Sequence, residues 1–563
     1  LVTENVVHVR GGHDVEGDEA ALLDEAAVRA AILAHRDHVE AFAISSYFGV
    51  RNPAHELRVR ALVDELGVSE NGPLPATCGH ELTSRLNSVR RATTVALNAR
   101  LIPLLRELIG TVRVTLDALG VAAPLMIVKG DGSLVRSAWA MRRPIETILS
   151  GPAASVVGAW HLAGRGDVWV VDVGGTTTDI AALRDGRPRL SPEGAQVGRW
   201  RTMVEAVDAH TVGLGGDSLV RVEERRLSVG PRRVVPLCAL AAAHPRVLEE
   251  LRSQVLGEPH YLAGQFAMLQ RQANAALPRE ERDLLDELVA GPRSMVALGN
   301  ALRYSSMAER RVDRLEAQRL VLRSSFTPTD ALHVLGRLSI WDAEAAHLGA
   351  QILSARMGLS PKAFCERVVR EVSNLVSTAL VSKTLSDEAG LPHWEQEPTA
   401  AALLERALGG VNGSDLECRL ALRHPVVAVG APVEAYLPRV SQQLDTELIV
   451  PAHAEVANAV GAVAGGVVLQ QQVLVRPSGD DGIFRVHLPM GIRDVPSLEE
   501  GVAYTESVMS TWLAARAEEA GAVQVEVKVE REDVKAPVQG GWGGELHLET
   551  VLTFTAVGRP SIV

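Results

Sequence analysis

Apolar and polar positions alternate with several different rhythms along this chain, and each change of rhythm marks an element. Residues 168–183, VWVVDVGGTTTDIAAL, hold two apolar runs around a short polar turn, a pattern that predicts strand–turn–strand. Further short apolar runs predict strands within 38–48 (VEAFAIS), at 125–128, at 425–430 (VVAVG) and at 448–451. Helical spacing predicts a helix over 16–38, with acidic residues early and basic ones late, as the helix dipole prefers. A second helix is expected over 52–66, with Asn52 as cap and Pro53 at its head. Longer helical patterns cover 93–119, interrupted by Pro103, as well as 360–386 and 455–472. Residues 147–164 form a small-residue helix that leads into the glycine turn.

The stretch from about 237 to 353 reads as largely helical, with Glu280–Glu287 as a solvated face and Thr327-Pro328-Thr329-Asp330 as a helix start. Beyond Val473 the period drops to two, in VLVRP, IFRVHLP, VQVEVKVERED and ELHLETVLTFTAV, which predicts a small α+β tail. The GGWGGE segment around Trp542 is expected at a hairpin tip. Strands alternating with helices give an α/β architecture, and 563 residues allow three or four domains.

The turn between the two central strands carries the chemistry. Gly174 and Gly175 let the backbone approach a ligand closely. Successive N–H groups in such a turn form an anion-binding concavity, and Thr176, Thr177 and Thr178 add hydroxyls. Asp172 and Asp179 are hard oxygen ligands suited to a hydrated Mg²⁺ beside phosphates. A polar hairpin turn would explain Gly-Gly alone; the acidic residues at both ends favour phosphate. A second glycine turn, VDAHTVGLGGDSLV at 207–220, has Asp208, His210 and Asp217 around it.

Composition narrows the field. The net charge of −12 argues against nucleic acid as the main partner. Four separated cysteines form no CxxC pair, so a disulfide framework and a zinc knuckle are not expected, and a reducing cytoplasm fits. No apolar run of about 18 residues predicts a membrane span. Two clusters are candidates for a divalent metal: Cys78-Gly79-His80-Glu81, and Asp208 with His210. Against this stands the plainer reading that His80 fills a loop and His210 bonds locally. Cys78 lacks any assignable base that would make it a nucleophile. His453 and Glu455 read as helix-start residues, and His161 and Cys365 as structural.

The segments RRATTVALNARLIP (90–103), ILSGPAASVVGA (148–159), VVDVGGTTTDIAAL (170–183), DAHTVGLGGDSLV (208–220), FTPTDALHVLG (326–336) and VPAHAEVANAVGA (450–462) together resemble the hydantoinase A / 5-oxoprolinase family of the actin-like ATPase superfamily. The resemblance implies actin-like (ribonuclease H-like) α/β domains, with a helical insertion and a small α+β C-terminal domain. On that basis residues 1–145 are expected to be the remainder of an N-terminal actin-like domain. Residues 146–472 would be a second ATPase domain with its insertion at about 237–353, and 473–563 the C-terminal domain.

The implied activity is ATP-dependent opening of a cyclic amide (a hydantoin, 5-oxoproline or similar lactam) through phosphorylation of its carbonyl oxygen. Two alternatives are the ATP-using subunit of a ketone carboxylase and a nucleotide-binding or assembly subunit without turnover. Implied cofactors are ATP and Mg²⁺ or Mn²⁺; the residue clusters themselves add a second divalent metal such as Zn²⁺ on Cys78, His80, Asp208 and His210, if the fold brings them together. Implied partners are a hydantoinase B-type subunit or further copies of the chain.

In role, Gly174, Gly175, Thr176 and Thr177 would cradle the β/γ-phosphates. Asp172 and Asp179 would hold the Mg²⁺ and, with Thr176, carry catalysis. Gly215, Gly216 and Ser218 would make a second nucleotide contact, and Gly430 would pack near the adenosine. Gly430 is followed by Ala431 where actin-like relatives often have a second glycine. Full-length relatives carry a first DxGGTxTD loop near the N-terminus. This chain has one such loop, identified as the second by the preceding SGPAASVVGA. It begins at Leu1 with its first methionine at Met126, and from this we expect the first loop to lie in a preceding segment.

Overall fold

The structure is a computed structural model that describes residues 5–70, 72–273, 277–302, 304–409, 415–479, 482–537 and 545–561. The Trp542 turn lies outside the described residues. The chain divides into two compact units: Leu1–His161 with Pro188–Asp208 and Asn458–Val563, and Leu162–Arg187 with Ala209–Ala457.

The second unit is built on the predicted strand–turn–strand. Val168–Val173 and Thr178–Arg184 pair antiparallel, and Ala209–Val212 pairs with the latter. On its other edge Val168–Val173 runs parallel to Val426–Val429, which runs parallel to Leu448–Ile449. Every residue of Val168–Val173 except Asp172 is buried, as a strand covered on both faces requires. Trp169, Val171, Val173, Ile180 and Ala182 pack on one face against Val372, Val376 and Leu380 of helix Pro361–Glu388. Tyr436 and Leu437 of helix Val433–Gln443 complete that core.

Within 237–353 the helices are present, but so is a four-stranded sheet of Val235–Pro236, Val321–Ser325, Phe266–Leu269 and Arg293–Ser294. These strands are two to five residues long, too short to show a period of two between amphipathic helices. Thr327 caps helix Pro328–Val334 as its sequence predicts, through a capping box with Asp330.

In the first unit Phe42–Ile44 runs parallel to Ala76–Cys78. Helices Glu25–His35 and Ala54–Leu66 flank this pair around Val28, Ile32, Ile44, Leu62 and Val63. Helix Ala54–Leu66 has Pro53, not Asn52, in the cap position; Asn52 stands one residue earlier, its Oδ1 accepting from the Ala54 N–H at 3.1 Å. The helix expected over 16–38 starts only at Glu25, capped by Asp24, because Glu19–Ala21 pairs with Gly12–His13. Helix Ser88–Ala118 runs through Pro103.

Residues 467–560 supply a five-stranded antiparallel sheet. Its order is Gly491–Val495, Ile483–Leu488, Val467–Ser478, Glu545–Pro560, Ala522–Pro537, with helix Leu498–Glu519 packed on it. The single helix expected over 455–472 is corrected: helix Ala457–Ala464 stops before Gly465-Gly466, and the strand begins at Val467. Among the described residues no helix is long and apolar enough to cross a membrane.

Candidate functional site

The two glycine turns of the second unit meet backbone to backbone. Gly174 N–H donates to the Thr177 carbonyl at 2.9 Å and closes the first turn. Gly216 N–H donates to the Gly174 carbonyl at 3.1 Å, and Asp217 N–H to the Gly175 carbonyl at 2.7 Å. A Cβ on Gly215 would lie 2.6 Å from the Gly174 and Gly175 carbonyl oxygens, so no larger residue permits this contact. Gly175 and Thr176 stand exposed at the tip.

Ser218 is buried, and its Oγ accepts from the Gly215 N–H at 2.9 Å, which fixes its own turn. Thr178 Oγ1 is likewise turned inward, donating to the Leu214 carbonyl at 2.8 Å. The same turn is held from behind by the capping-box segment. Thr329 donates to the Gly216 carbonyl twice, from its N–H at 2.9 Å and its Oγ1 at 2.8 Å. Asp330, fully buried, accepts from the N–H groups of Leu237, Cys238 and Thr327 and from Thr327 Oγ1 at 2.8–3.2 Å. Burial pushes its carboxyl above the ordinary value, against those hydrogen bonds.

Three carboxylates border the turns. Asp172 and Asp179 are direct cross-strand partners, which sets their Cβ atoms about 5 Å apart on one face of the sheet. Asp179 accepts from Thr211 Oγ1 on one oxygen and from Thr177 Oγ1 at 3.3 Å on the other. Burial nevertheless pushes its carboxyl up. Asp217 pairs with Arg233 at 3.2 Å, and burial again pushes its carboxyl up, with the guanidinium opposing. Burial is the cost that a cation beside Asp179 would relieve.

Gly430 closes the sheet end beside Asp172. Its φ is +108°, and a Cβ there would lie 2.2 Å from the Val173 carbonyl oxygen and 3.1 Å from Asp172 Oδ1. Its N–H donates to the Ala454 carbonyl at 2.8 Å. The space beside Gly430 is thus filled by the Val173 backbone and Asp172, a close approach that only glycine permits.

The metal candidates separate. Among the described residues, one set of three possible ligands has its atoms within 4.8 Å of one another: Glu56, Cys78 and His80, all buried. Asp208 lies in the first unit, 3.8 Å from Arg189, and its N–H donates to the Arg189 carbonyl. His210 lies in the second unit, opposite Ile180 in the ladder. His80 Nδ1 sits 2.7 Å from Glu56 Oε2, and the His80 N–H donates to the same oxygen at 3.0 Å. Burial alone would raise the Glu56 carboxyl; the bond to His80 and its charge outweigh this and hold it below the ordinary value. Cys78 Sγ donates to the Glu56 carbonyl at 3.6 Å, and burial pushes its thiol far up.

Residues the sequence reading did not assign to the site are Asp217, Thr211, Thr329, Asp330 and Glu56. The hydroxyl–x–x–acid pattern of 327–330 was the signal for Asp330. Glu56, in mid-helix, carried none, because its partners are 10 and 24 residues away.

Comparison with known proteins agrees with the motif order. The family model for the hydantoinase/oxoprolinase N-terminal region matches residues 1–67, and the hydantoinase/oxoprolinase model matches residues 91–242. The chain is similar to the caprolactamase subunit alpha of Pseudomonas jessenii, 32% identical over 41% of this chain and 34% of the relative. It is also similar to the acetophenone carboxylase gamma subunit of Aromatoleum aromaticum, 29% identical over 40% of this chain and 32% of the relative. The chain spans about a third of the length of these curated relatives. Its fold is similar to the crystal structure of the ATP-dependent caprolactamase from Pseudomonas jessenii, with a TM-score of 0.58, 17% identity, and coverage of 98% of this chain and 70% of that one. Residues 1–67 and 91–242 thus match the two hydantoinase/oxoprolinase family models, and over those segments the chain is similar to that family.

Proposed function

We propose that this chain is the nucleotide-using subunit of an ATP-dependent enzyme that opens a cyclic amide. The observation that carries the reading is the contact of the two glycine turns beside the opposed pair Asp172 and Asp179. Phosphate oxygens fit the exposed tip of the first turn at Gly175 and Thr176, which the second turn holds in place from behind. A divalent cation fits beside the opposed carboxylates Asp172 and Asp179, and burial disfavours the charged form of Asp179 without one. In this reading the second unit is an actin-like ATPase fold. Gly174, Gly175, Thr176 and Thr177 hold the β/γ-phosphates, and Gly215 and Gly216 back them. Asp172 and Asp179 hold Mg²⁺ or Mn²⁺, and Gly430 packs near the adenosine.

Bound ATP would supply a phosphoryl group to the amide oxygen, turning a poor leaving group into a good one. The chain's own part is positioning and charge neutralisation, which dominate phosphoryl transfer. Thr329 and Asp330 keep the second turn in register against the first, and Asp179 is steered by Thr177 and Thr211.

The match to a caprolactamase subunit supports the lactam reading, and the match to an acetophenone carboxylase subunit supports a ketone carboxylase as the second. Both relatives are named as subunits, which supports a separately encoded partner. The test is ATP hydrolysis by the protein together with its co-purified partner subunit. Stimulation by caprolactam, hydantoin or 5-oxoproline supports the first reading. Bicarbonate-dependent turnover with a ketone moves the assignment to the second. Tight calorimetric binding of Mg²⁺-ATP without turnover under any of these conditions leaves a nucleotide-binding assembly subunit.

A further inference from the structure

The first unit holds a second chemical centre that the phosphate reading does not use. We propose that Glu56, Cys78 and His80 form a binding site for one divalent transition metal ion, with Zn²⁺ as its natural occupant. Their ligand atoms already lie within 4.8 Å of one another. Atoms sharing one tetrahedral Zn²⁺ stand about 3–4 Å apart, so small side-chain rotations complete the set.

The backbone around the carboxylate is shaped to leave it room. A Cβ on Gly49 would lie 2.4 Å from Glu56 Oε1, and one on Gly79 would lie 3.2 Å from it. Two chain segments therefore give up side chains at the same oxygen. Gly49 and His80 also line a pocket together with Pro53, Ser84 and His487, so the set is approached from its His80 side, where a fourth, non-protein ligand would enter. Three protein ligands with one open position is the arrangement of zinc sites that act on a substrate or bound water. His487 on that wall has its Nδ1 2.9 Å from the Arg51 carbonyl, and its Nε2 is buried without a partner. A water held by the metal is the kind of donor that lone pair lacks.

Charge selects the Glu–Cys–His corner over the His487 side of the pocket. Arg51, Arg476 and Arg485 all bear on His487 and repel a bare cation there. At the corner, a thiolate and a carboxylate cancel the two charges of the ion, so the buried complex is neutral. Binding expels the Cys78 thiol proton to water, and the His80 nitrogen that takes the metal must carry no proton. Thiolate and imidazole select Zn²⁺ over Mg²⁺ or Ca²⁺.

The test is a Co²⁺ titration of the full chain after chelator treatment. The expected result is one equivalent bound, with a thiolate-to-cobalt charge-transfer band that Zn²⁺ displaces. Cys78→Ser removes the band. Glu56→Gln weakens binding at least tenfold, and Cys418→Ser, which alters a half-exposed thiol elsewhere, changes nothing. A band that survives Cys78→Ser, or disappears with Cys418→Ser, overturns the site. Should Glu56→Gln fail to fold by circular dichroism, the wild-type melting temperature decides: Zn²⁺ raises it if the site exists, and no rise overturns the proposal. None of these readouts involves ATP, so this site and the nucleotide reading stand or fall separately.

Discussion

Thr329 grips the Gly216 carbonyl with both its N–H and its hydroxyl, and so joins the capping box of one helix to the tip of the second glycine turn. Thr329→Val keeps the shape and the backbone bond but deletes the hydroxyl bond. We expect a loss of about 1 kcal/mol in urea unfolding. A weaker affinity for Mg²⁺-ATP by calorimetry should accompany it. Unchanged nucleotide affinity would detach the capping box from the proposed cradle.

Gly430 tests the close approach at the sheet end. Gly430→Ala must place a methyl group 2.2 Å from the Val173 oxygen at a φ of +108°. The expected cost is roughly 3 kcal/mol, from overpacking together with left-handed backbone strain. Gly336→Ala, at φ +68° with nothing within 4 Å, should cost only about 1 kcal/mol. Thermal melts of the two variants side by side give the comparison.

Asp179 carries a signed prediction. Its carboxyl is raised by burial, so the folded state binds protons more readily than the unfolded state. Stability of the cation-free protein should therefore fall as pH rises from the ordinary aspartate value through the raised one. Asp179→Asn should stabilise the cation-free protein at pH 7 while lowering Mg²⁺-ATP affinity at least tenfold, about 1.4 kcal/mol. Urea midpoints with and without Mg²⁺-ATP measure both effects; a destabilised cation-free variant would contradict the assignment.

His487 behaves in the opposite sense. Burial, with neighbouring arginines, lowers its imidazole from 6.5 to about 4. The unfolded state binds the proton first, so stability is present above pH 6.5 and drains away as pH falls toward 4. The full loss is roughly 3 kcal/mol. His487→Asn keeps a donor for the Arg51 carbonyl and removes the titration. Its stability should therefore be flatter between pH 6.5 and 4 in urea titrations.

Much of the second unit could be read directly from its residues. The run at 168–183 dictated two strands because its apolar blocks are bounded by Gly-Gly and flanked by acids, and the structure has them at Val168–Val173 and Thr178–Arg184. Thr327 was legible as a cap because a capping box is local chemistry, complete within four residues. The helix expected over 455–472 was not legible as helix plus strand: AVGAVAGGVV satisfies either element until packing chooses, and the choice is made by the ladder with Glu545–Pro560. Asp330 looked like part of a helix start, yet two of its four bonds go to residues 92 and 93 positions away. Glu56 met His80 and Ser46 only through the fold. Local signals reveal turns and caps; partners brought from afar remain hidden until the sheets close.

The parallel pairing of Val168–Val173 with Val426–Val429 also sets a schedule for synthesis. A nascent chain that has emerged only to residue 400 has both glycine turns but lacks the neighbouring strand and the Gly430 bend that flank Asp172. The first unit waits longer still, since Leu1–His161 shares its core with Asn458–Val563. Long-range pairing of this kind slows folding and leaves strand edges uncovered meanwhile. The second unit can therefore close once Ala457 has emerged, ahead of the first, and until Val426–Val429 arrives the Val168–Val173 edge has to be kept from pairing elsewhere.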